Sequence, residues 1–328
     1  MKEWLQLFRA QTGFATFYTV AVPYLLAGGH PGLLVVLLPL SLLLHYASFG
    51  HNSVMDYWHD VSDPHKKHHP LVSGVIDLRR AHQVVHAMLC AGTGLMVLLT
   101  LLASPRPAEA LAALLMYVAL GHAYNDGLGK HMTHSWAPIS LCFTCLVAYG
   151  WFLGGGEANA VLALLLAAAL STMFYQIAFE GNLKDVCHED NLLRRLAREL
   201  ECRFASTTLI RYAGPTFWWL RVIVDTAVLV AVLRLVSAPL LAYLVLLLVT
   251  SVQAYFIAEL GRVRHGLWRD EVLELFGRIE ALQYFRVMVV IIGDLRGLAL
   301  YALLVVAGAT YFVLMNRLLW GTRWGPKV

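Results

Sequence analysis

Residues 32–63 read GLLVVLLPLSLLLHYASFGHNSVMDYWHDVSD, and the change of character within them decides the fold. A helix that spans a bilayer needs about 20 mostly apolar residues, and residues 32–54 supply them. Three oxygen-bearing side chains then follow at a spacing of four: Asn52, Asp56 and Asp60. On a helix that spacing puts all three on one face, roughly 6 Å apart per step. Carboxylates held together at the mouth of a span repel one another unless a cation sits between them. Carboxylates plus phosphate oxygens are the usual environment of magnesium. The stretch therefore predicts a membrane helix that ends in a cation site.

The rest of the chain extends the first half of that pattern. Of 328 residues, 59% are hydrophobic and 14% charged, with a mean hydropathy of +0.64. Soluble domains run nearer half apolar and a quarter charged. This composition excludes an ordinary cytosolic enzyme and a disordered chain. The small net charge of +4 and the lack of a dense basic tract argue against a nucleic-acid partner. Apolar runs near 14–29, 32–54, 82–103, 110–128, 136–154, 159–180, 213–234, 238–260 and 286–315 predict an all-α polytopic membrane protein of about nine transmembrane helices. No soluble domain interrupts them, so 1–328 reads as a single transmembrane domain in a lipid bilayer. Residues 1–11 lack a convincing cleavage pattern, and the first run is read as a true span. With the N-terminus inside, 19 Lys and Arg fall on the inner side and five outside, counted along the sequence. That bias predicts a cytoplasmic N-terminus and an external C-terminus, most simply in the cell membrane. The polar loops near 55–81 and 180–212 then share the cytoplasmic side.

A second acidic cluster follows the sixth span: Glu180, Asn182, Asp185, Glu189 and Asp190, with Asp185 and Glu189 again four apart. Two carboxylate sets facing a gap can hold divalent cations and clamp a diphosphate. Basic residues lie beside both sets. Lys66 and Lys67 follow the first, Arg79 and Arg80 start the third span, and Lys130 closes Tyr124-Asn-Asp-Gly-Leu-Gly-Lys130. Such groups neutralise phosphate oxygens and assist a charged leaving group.

Asn52-xxx-Asp56-xxx-Asp60, followed by Asp63-Pro-His-Lys-Lys-His-His69-Pro-Leu-Val-Ser73-Gly74, resembles the first signature of the UbiA superfamily of intramembrane prenyltransferases. Members typically read N-D-x-x-D-x-x-x-D, then a short basic loop, then R-P-L-x-S-G. The Asp185 cluster is similar to the family's second Asp-rich motif, and Tyr124 to Lys130 resembles its Tyr…Lys element. Here Ser53 and His69 stand where Asp and Arg are usual, Glu189 replaces an Asp, and Gly181 stands where an acid is common. The resemblance implies a UbiA-like bundle around a central apolar cavity. It implies Mg2+ held by Asn52, Asp56, Asp60 and Asp63 with Glu180, Asn182, Asp185, Glu189 and Asp190. Diphosphate contacts would come from Lys66, Lys67, His69, Arg79 and Lys130. Asp56, Asp185, Tyr124 and Lys130 would act on the departing diphosphate and the allylic cation left behind. The partners implied are a prenyl diphosphate and an aromatic or other lipophilic acceptor. Trp58, Tyr124 and Tyr175 offer ring faces to a cation. The same site serves a terpene cyclase, in which the prenyl chain attacks itself. A transporter or lipid-binding protein whose carboxylates bind cations is the reading from outside the enzymes.

Other features fit less well. Eight of the 14 histidines fall between His45 and His86, and His65-Lys-Lys-His68-His69 is similar to one box of a membrane di-iron enzyme. Two irons need several such boxes, and the sequence has no second one. Cys142 and Cys145 read as buried structural thiols. Arg221 and Asp225, four apart, read as a helix ion pair, while Asp294 and Arg296 fall inside the expected last span. Residues 262–285 alternate Leu267, Val272, Leu275, Phe276 and Ile279 with charged residues. They read as an amphipathic helix on the membrane surface, covering the mouth of the site.

Overall fold

The computed structural model describes residues 1–62, 66–128, 136–177, 214–262 and 269–324, and these are helical, with no strand among them. Twelve α-helices follow one another: α1 Lys2–Leu7, α2 Gly13–Leu26, α3 Leu34–Met55, α4 Tyr57–Ser62, α5 Leu78–Ala103, α6 Pro107–Ala123, α7 Trp136–Leu153, α8 Ala160–Phe174, α9 Gly214–Leu235, α10 Leu240–Gly261, α11 Arg269–Met288 and α12 Leu295–Trp320. A π-helical turn, Tyr124–Leu128, continues α6. Chain neighbours from α6 to α11 pack side by side wherever both are described, and α2 touches α3, α7 and α11, which closes the bundle.

All long helices run between the same two ends. At one end, called the motif end, Leu7 and Phe8 of the N-terminal segment pack with Val54, Leu71, Ile76, Ala81 and Val85. At the far end Leu25, Gly29, Pro31, Val236, Ala238, Ile291 and Arg296 line a cleft of about 530 Å³. Five helices are long and apolar enough to cross a membrane by length and composition: 31–55, 78–103, 160–177, 240–260 and 295–320. Their outward residues are apolar, as Leu102, Leu240, Leu247 and Val306 illustrate, which suits lipid as the solvent.

Close backbone approach replaces large side chains at the α2–α7 crossing. Gly150 and Gly154 lie one turn apart, and a Cβ on either would collide with a carbonyl oxygen of α2, Val20 O or Tyr24 O. Small residues at four-residue spacing are how membrane helices come within van der Waals range when lipid removes the hydrophobic drive between them.

Three expectations change here. The run 286–315 is not one span. Helix α11 ends at Met288, the chain turns at Ile292–Gly293, and α12 starts anew. Asp294 is the N-cap of α12, its Oδ1 accepting the Gly297 N–H at 2.7 Å, so neither it nor Arg296 lies mid-span. Among the described residues the helices running end to end therefore number ten, not nine. The described part of 262–285 is not a surface helix either. Phe276, Ile279, Gln283, Arg286 and Met288 of α11 are buried, and its 20 residues span about 30 Å. Hydropathy hid it because its polar side chains pair with polar side chains of its neighbours.

The extra crossing also brings the two chain ends together, against the expectation of opposite sides. Gln6 Nε2 donates to the Leu319 carbonyl at 2.8 Å, and Tyr311 Oη donates to the Ala10 carbonyl at 2.6 Å. The charge asymmetry sharpens as a result. Among the described residues only Arg106, Arg234 and Arg296 remain at the far end.

Candidate functional site

Helix α3 delivers the first motif to the motif end of the bundle. Asp56 N–H bonds to Asn52 O at 3.0 Å, and Asp60 N–H to Asp56 O at 2.9 Å, so the turn count survives the junction between α3 and α4. The expected single face is thereby formed. Asn52 Nδ2 donates to Asp56 Oδ2 at 2.8 Å. Asp60 is buried, 5% exposed, and its Oδ1 meets Lys66 Nζ at 3.3 Å. Burial pushes the Asp60 carboxyl above the usual range. Lys66 opposes that, and the neighbouring Asp56 carboxylate adds to it. A divalent cation between these oxygens relieves both penalties, so the donor set fits a hard cation. Ser53 lies off this face and donates to the Leu7 carbonyl at 3.3 Å.

The segment after the motif folds back on the N-terminus. Leu71 and Ile76 are anchored against Leu7 and Phe8. Ser73 N–H and Oγ both bond to the His69 carbonyl, at 2.9 and 3.0 Å. Gly74 takes φ +73, a left-handed turn that glycine adopts without steric cost. Asp77 then caps α5 by accepting from Arg80 N–H at 2.8 Å. This fold-back holds His69 half-buried, and burial, with help from Lys66 and Arg9, lowers its pKa to about 4. At neutral pH His69 is therefore an uncharged donor or acceptor, unlike the arginine that usually precedes Pro-Leu in the family. Its Nδ1 is buried and has no protein partner among the described residues.

The turn Tyr124–Leu128 comes to the same place. Asn125 Nδ2 lies 3.1 Å from His51 Nδ1, one residue before Asn52. The structure thus joins Asn52, Asp56, Asp60, Lys66 and His69, and brings the turn that carries the half-buried Tyr124 against α3. It leaves Lys67 and Arg79 exposed. Trp58 is 77% exposed with its ring edge on Tyr57, which removes it from any enclosed cation pocket. Asp63, Lys130, Glu180, Asn182, Asp185, Glu189 and Asp190 lie outside the described residues. Arg9 is the participant that sequence reasoning missed. Its charge acts on both Asp60 and His69, from a left-handed turn (φ 47) between α1 and α2. Nothing in its local sequence sets it apart from other basic residues near the membrane.

Comparison with known proteins agrees with this arrangement. The sequence model of the UbiA prenyltransferase family matches residues 15–266. No curated protein matches the chain. Among solved structures, the apo form of a UbiA homologue from Aeropyrum pernix K1 is similar, with a TM-score of 0.57, 15% identity, and coverage of 89% of this chain and 98% of that one. A UbiA homologue from Archaeoglobus fulgidus bound to GPP and Mg2+ gives a TM-score of 0.51 at 15% identity, over 88% of this chain and 99% of the other. A digeranylgeranylglyceryl phosphate synthase structure gives 0.54 at 14% identity, over 89% and 97%. At these identities the likeness is one of fold.

Proposed function

The chain belongs to the UbiA prenyltransferase family, and from that premise we propose that it is an integral, multi-pass membrane enzyme transferring a prenyl group from a prenyl diphosphate to an aromatic or other lipophilic acceptor, with release of diphosphate. The observation that carries this reading is the line of Asn52, Asp56 and Asp60, with buried Asp60 held against Lys66. Bound Mg2+ would supply charge neutralisation to the diphosphate as it departs. Asn52, Asp56 and Asp60 are its ligands in this proposal. Asp63 and the set Glu180, Asn182, Asp185, Glu189 and Asp190 complete it.

The chain's own groups do the rest. Lys66 lies at the carboxylates, 3.3 Å from Asp60 Oδ1, and its ammonium would pair with a phosphate oxygen of the bound diphosphate. His69, neutral and with Nδ1 unpartnered among the described residues, supplies a hydrogen bond rather than a charge. Lys67, Arg79 and Lys130 give further positive charge at the entrance, and Lys130 with Tyr124 stabilises the leaving group in this assignment. Apolar helices enclose the prenyl chain and keep water from the allylic cation, which would otherwise be quenched to an alcohol. The motif end faces the cytoplasm in this proposal, because most of the described basic residues gather there.

The test incubates purified protein with Mg2+ and prenyl diphosphates of several lengths, with and without aromatic acceptors, and follows diphosphate and organic product together. A joined product is expected, and Asp56→Ala is expected to abolish diphosphate release. A cyclic hydrocarbon or alcohol formed without acceptor would reassign the chain as a cyclase. Near wild-type release from Asp56→Ala would refute the metal site.

A further inference from the structure

The proposed reaction leaves most of the histidines between His45 and His86 unused. One of them, His45, is a core residue, its Nδ1 2.7 Å from Thr16 Oγ1. His51 is different. It projects from α3 toward the end of α6, where His122 and Asp126 lie one turn apart. His51 Nε2 is 3.5 Å from Asp126 Oδ1, and His122 Nδ1 is 3.6 Å from Asp126 Oδ2. One ligand atom from each of the three residues lies within 4.8 Å of the other two. Both shorter separations exceed a good hydrogen bond. They run to the two different oxygens of Asp126, so the one carboxylate faces both imidazoles.

We propose that His51, His122 and Asp126 form a binding site for a late first-row divalent cation of the Zn2+ class, separate from the magnesium carboxylates. Two imidazoles and one carboxylate favour such an ion over Mg2+, which prefers an all-oxygen shell. A second set of contacts fits the role. A ligating histidine normally has its other ring nitrogen held by a hydrogen bond. His51 Nδ1 faces the Asn125 side-chain amide at 3.1 Å. Asn125 is 8% exposed, and its Oδ1 has no partner among the described residues. Rotation of the amide about its Cβ–Cγ bond exchanges its donor and its acceptor. Turned over, Oδ1 accepts the Nδ1–H of His51 and leaves Nε2 as the ligand atom. His86 stands next to the group, its ring centroid 5.2 Å from that of His51. Its Nδ1–H donates to the His82 carbonyl at 2.8 Å, which leaves Nε2 as the lone-pair nitrogen. Asp126 is half exposed, giving an ion a route from solvent. The bound ion ties α3, one residue before Asn52, to the turn that carries Tyr124.

Co2+ titration of the purified full chain, in excess Mg2+ to fill the carboxylates, tests this. One equivalent is expected to bind with visible ligand-field absorption, displaced by Zn2+. His122→Gln and Asp126→Asn should each weaken binding by about 10-fold or more, with size-exclusion profiles unchanged. Asp56→Ala should leave the band intact. Absence of the band in the wild type, equal binding by both site variants, or loss of the band in Asp56→Ala would each overturn the proposal.

Discussion

Replacing Arg286 with alanine separates a buried α11 from a surface helix. Arg286 is 0% exposed, and all five of its N–H groups have acceptors. Nε donates to Thr250 Oγ1 at 3.1 Å, one terminal nitrogen to Gln253 Oε1 and Gln283 Oε1 at 2.8 and 2.9 Å, and the other to the Val222 carbonyl and the Thr226 hydroxyl. These partners come from α9, α10 and α11. The group belongs to a buried set in which two arginines, Arg221 and Arg286, balance Asp225 and Glu280. Arg221 bridges to both acids, and Gln283 Nε2 donates to Asp225 Oδ2 at 2.6 Å. Arg286→Ala leaves two carboxylates to one arginine and strips a carbonyl and four side chains of a donor. Breaking a buried pair in this way costs about 3–5 kcal/mol. Polar groups of a chain unfolded in detergent also find partners, so the lower end, about 3 kcal/mol, is expected. Arg286→Lys keeps the charge but offers three donors instead of five and should recover about half. Denaturant unfolding of detergent-purified protein, followed by circular dichroism, reads the difference. On a solvated surface helix the same change stays within about 0.5 kcal/mol. A loss that small would refute the buried placement of α11.

Gly150→Ala puts a methyl group against the Val20 carbonyl and should destabilise the protein by about 1–3 kcal/mol, read in the same unfolding assay. Tags at the two chain ends should be digested from the same side of sealed vesicles, since α12 returns to α1. Digestion from opposite sides would restore the single last span. Acidification should cost stability between pH 6.5 and about 4. His69 has a folded pKa of about 4 against an ordinary 6.5, so only the unfolded state takes up its proton across that window. Asp60, whose pKa is raised, works in the opposite direction at the acid end. The difference between wild type and His69→Gln therefore isolates the histidine, and identical pH profiles would show that it is not held neutral.

The shared face of the first motif was legible because it is local. Asn52, Asp56 and Asp60 needed only a helical repeat to share a face, and two backbone hydrogen bonds carry that repeat across the α3–α4 junction. Arg9 was not legible, since its influence on Asp60 depends on α1 folding under α3. His51, His122 and Asp126 were half legible. The spacing of four between His122 and Asp126 is plain in the sequence, but their approach to His51 comes from the pairing of α3 with the turn after α6.

The miscounted helix has a more general cause. A hydropathy reading scores every side chain as though it faced lipid. For α12 that assumption holds, because Leu303, Val306 and Leu314 do face outward. For α11 it fails, because Glu280, Gln283 and Arg286 face Arg221, Asp225, Gln253 and the hydroxyls of α9 and α10. Each of these groups alone is costly in hydrocarbon. Together they carry no net formal charge, and most of their polar groups hydrogen-bond one another. The sequence showed half of this set, Arg221 with Asp225 four residues on, and a solvated ion pair was the cheaper reading. A charge pair inside an apolar run calls for a complementary pair elsewhere in the chain, and the segment of lowest hydropathy between two apolar runs is where to look for it. Applied to this sequence, that rule finds Glu280 and Arg286, and with them the tenth helix.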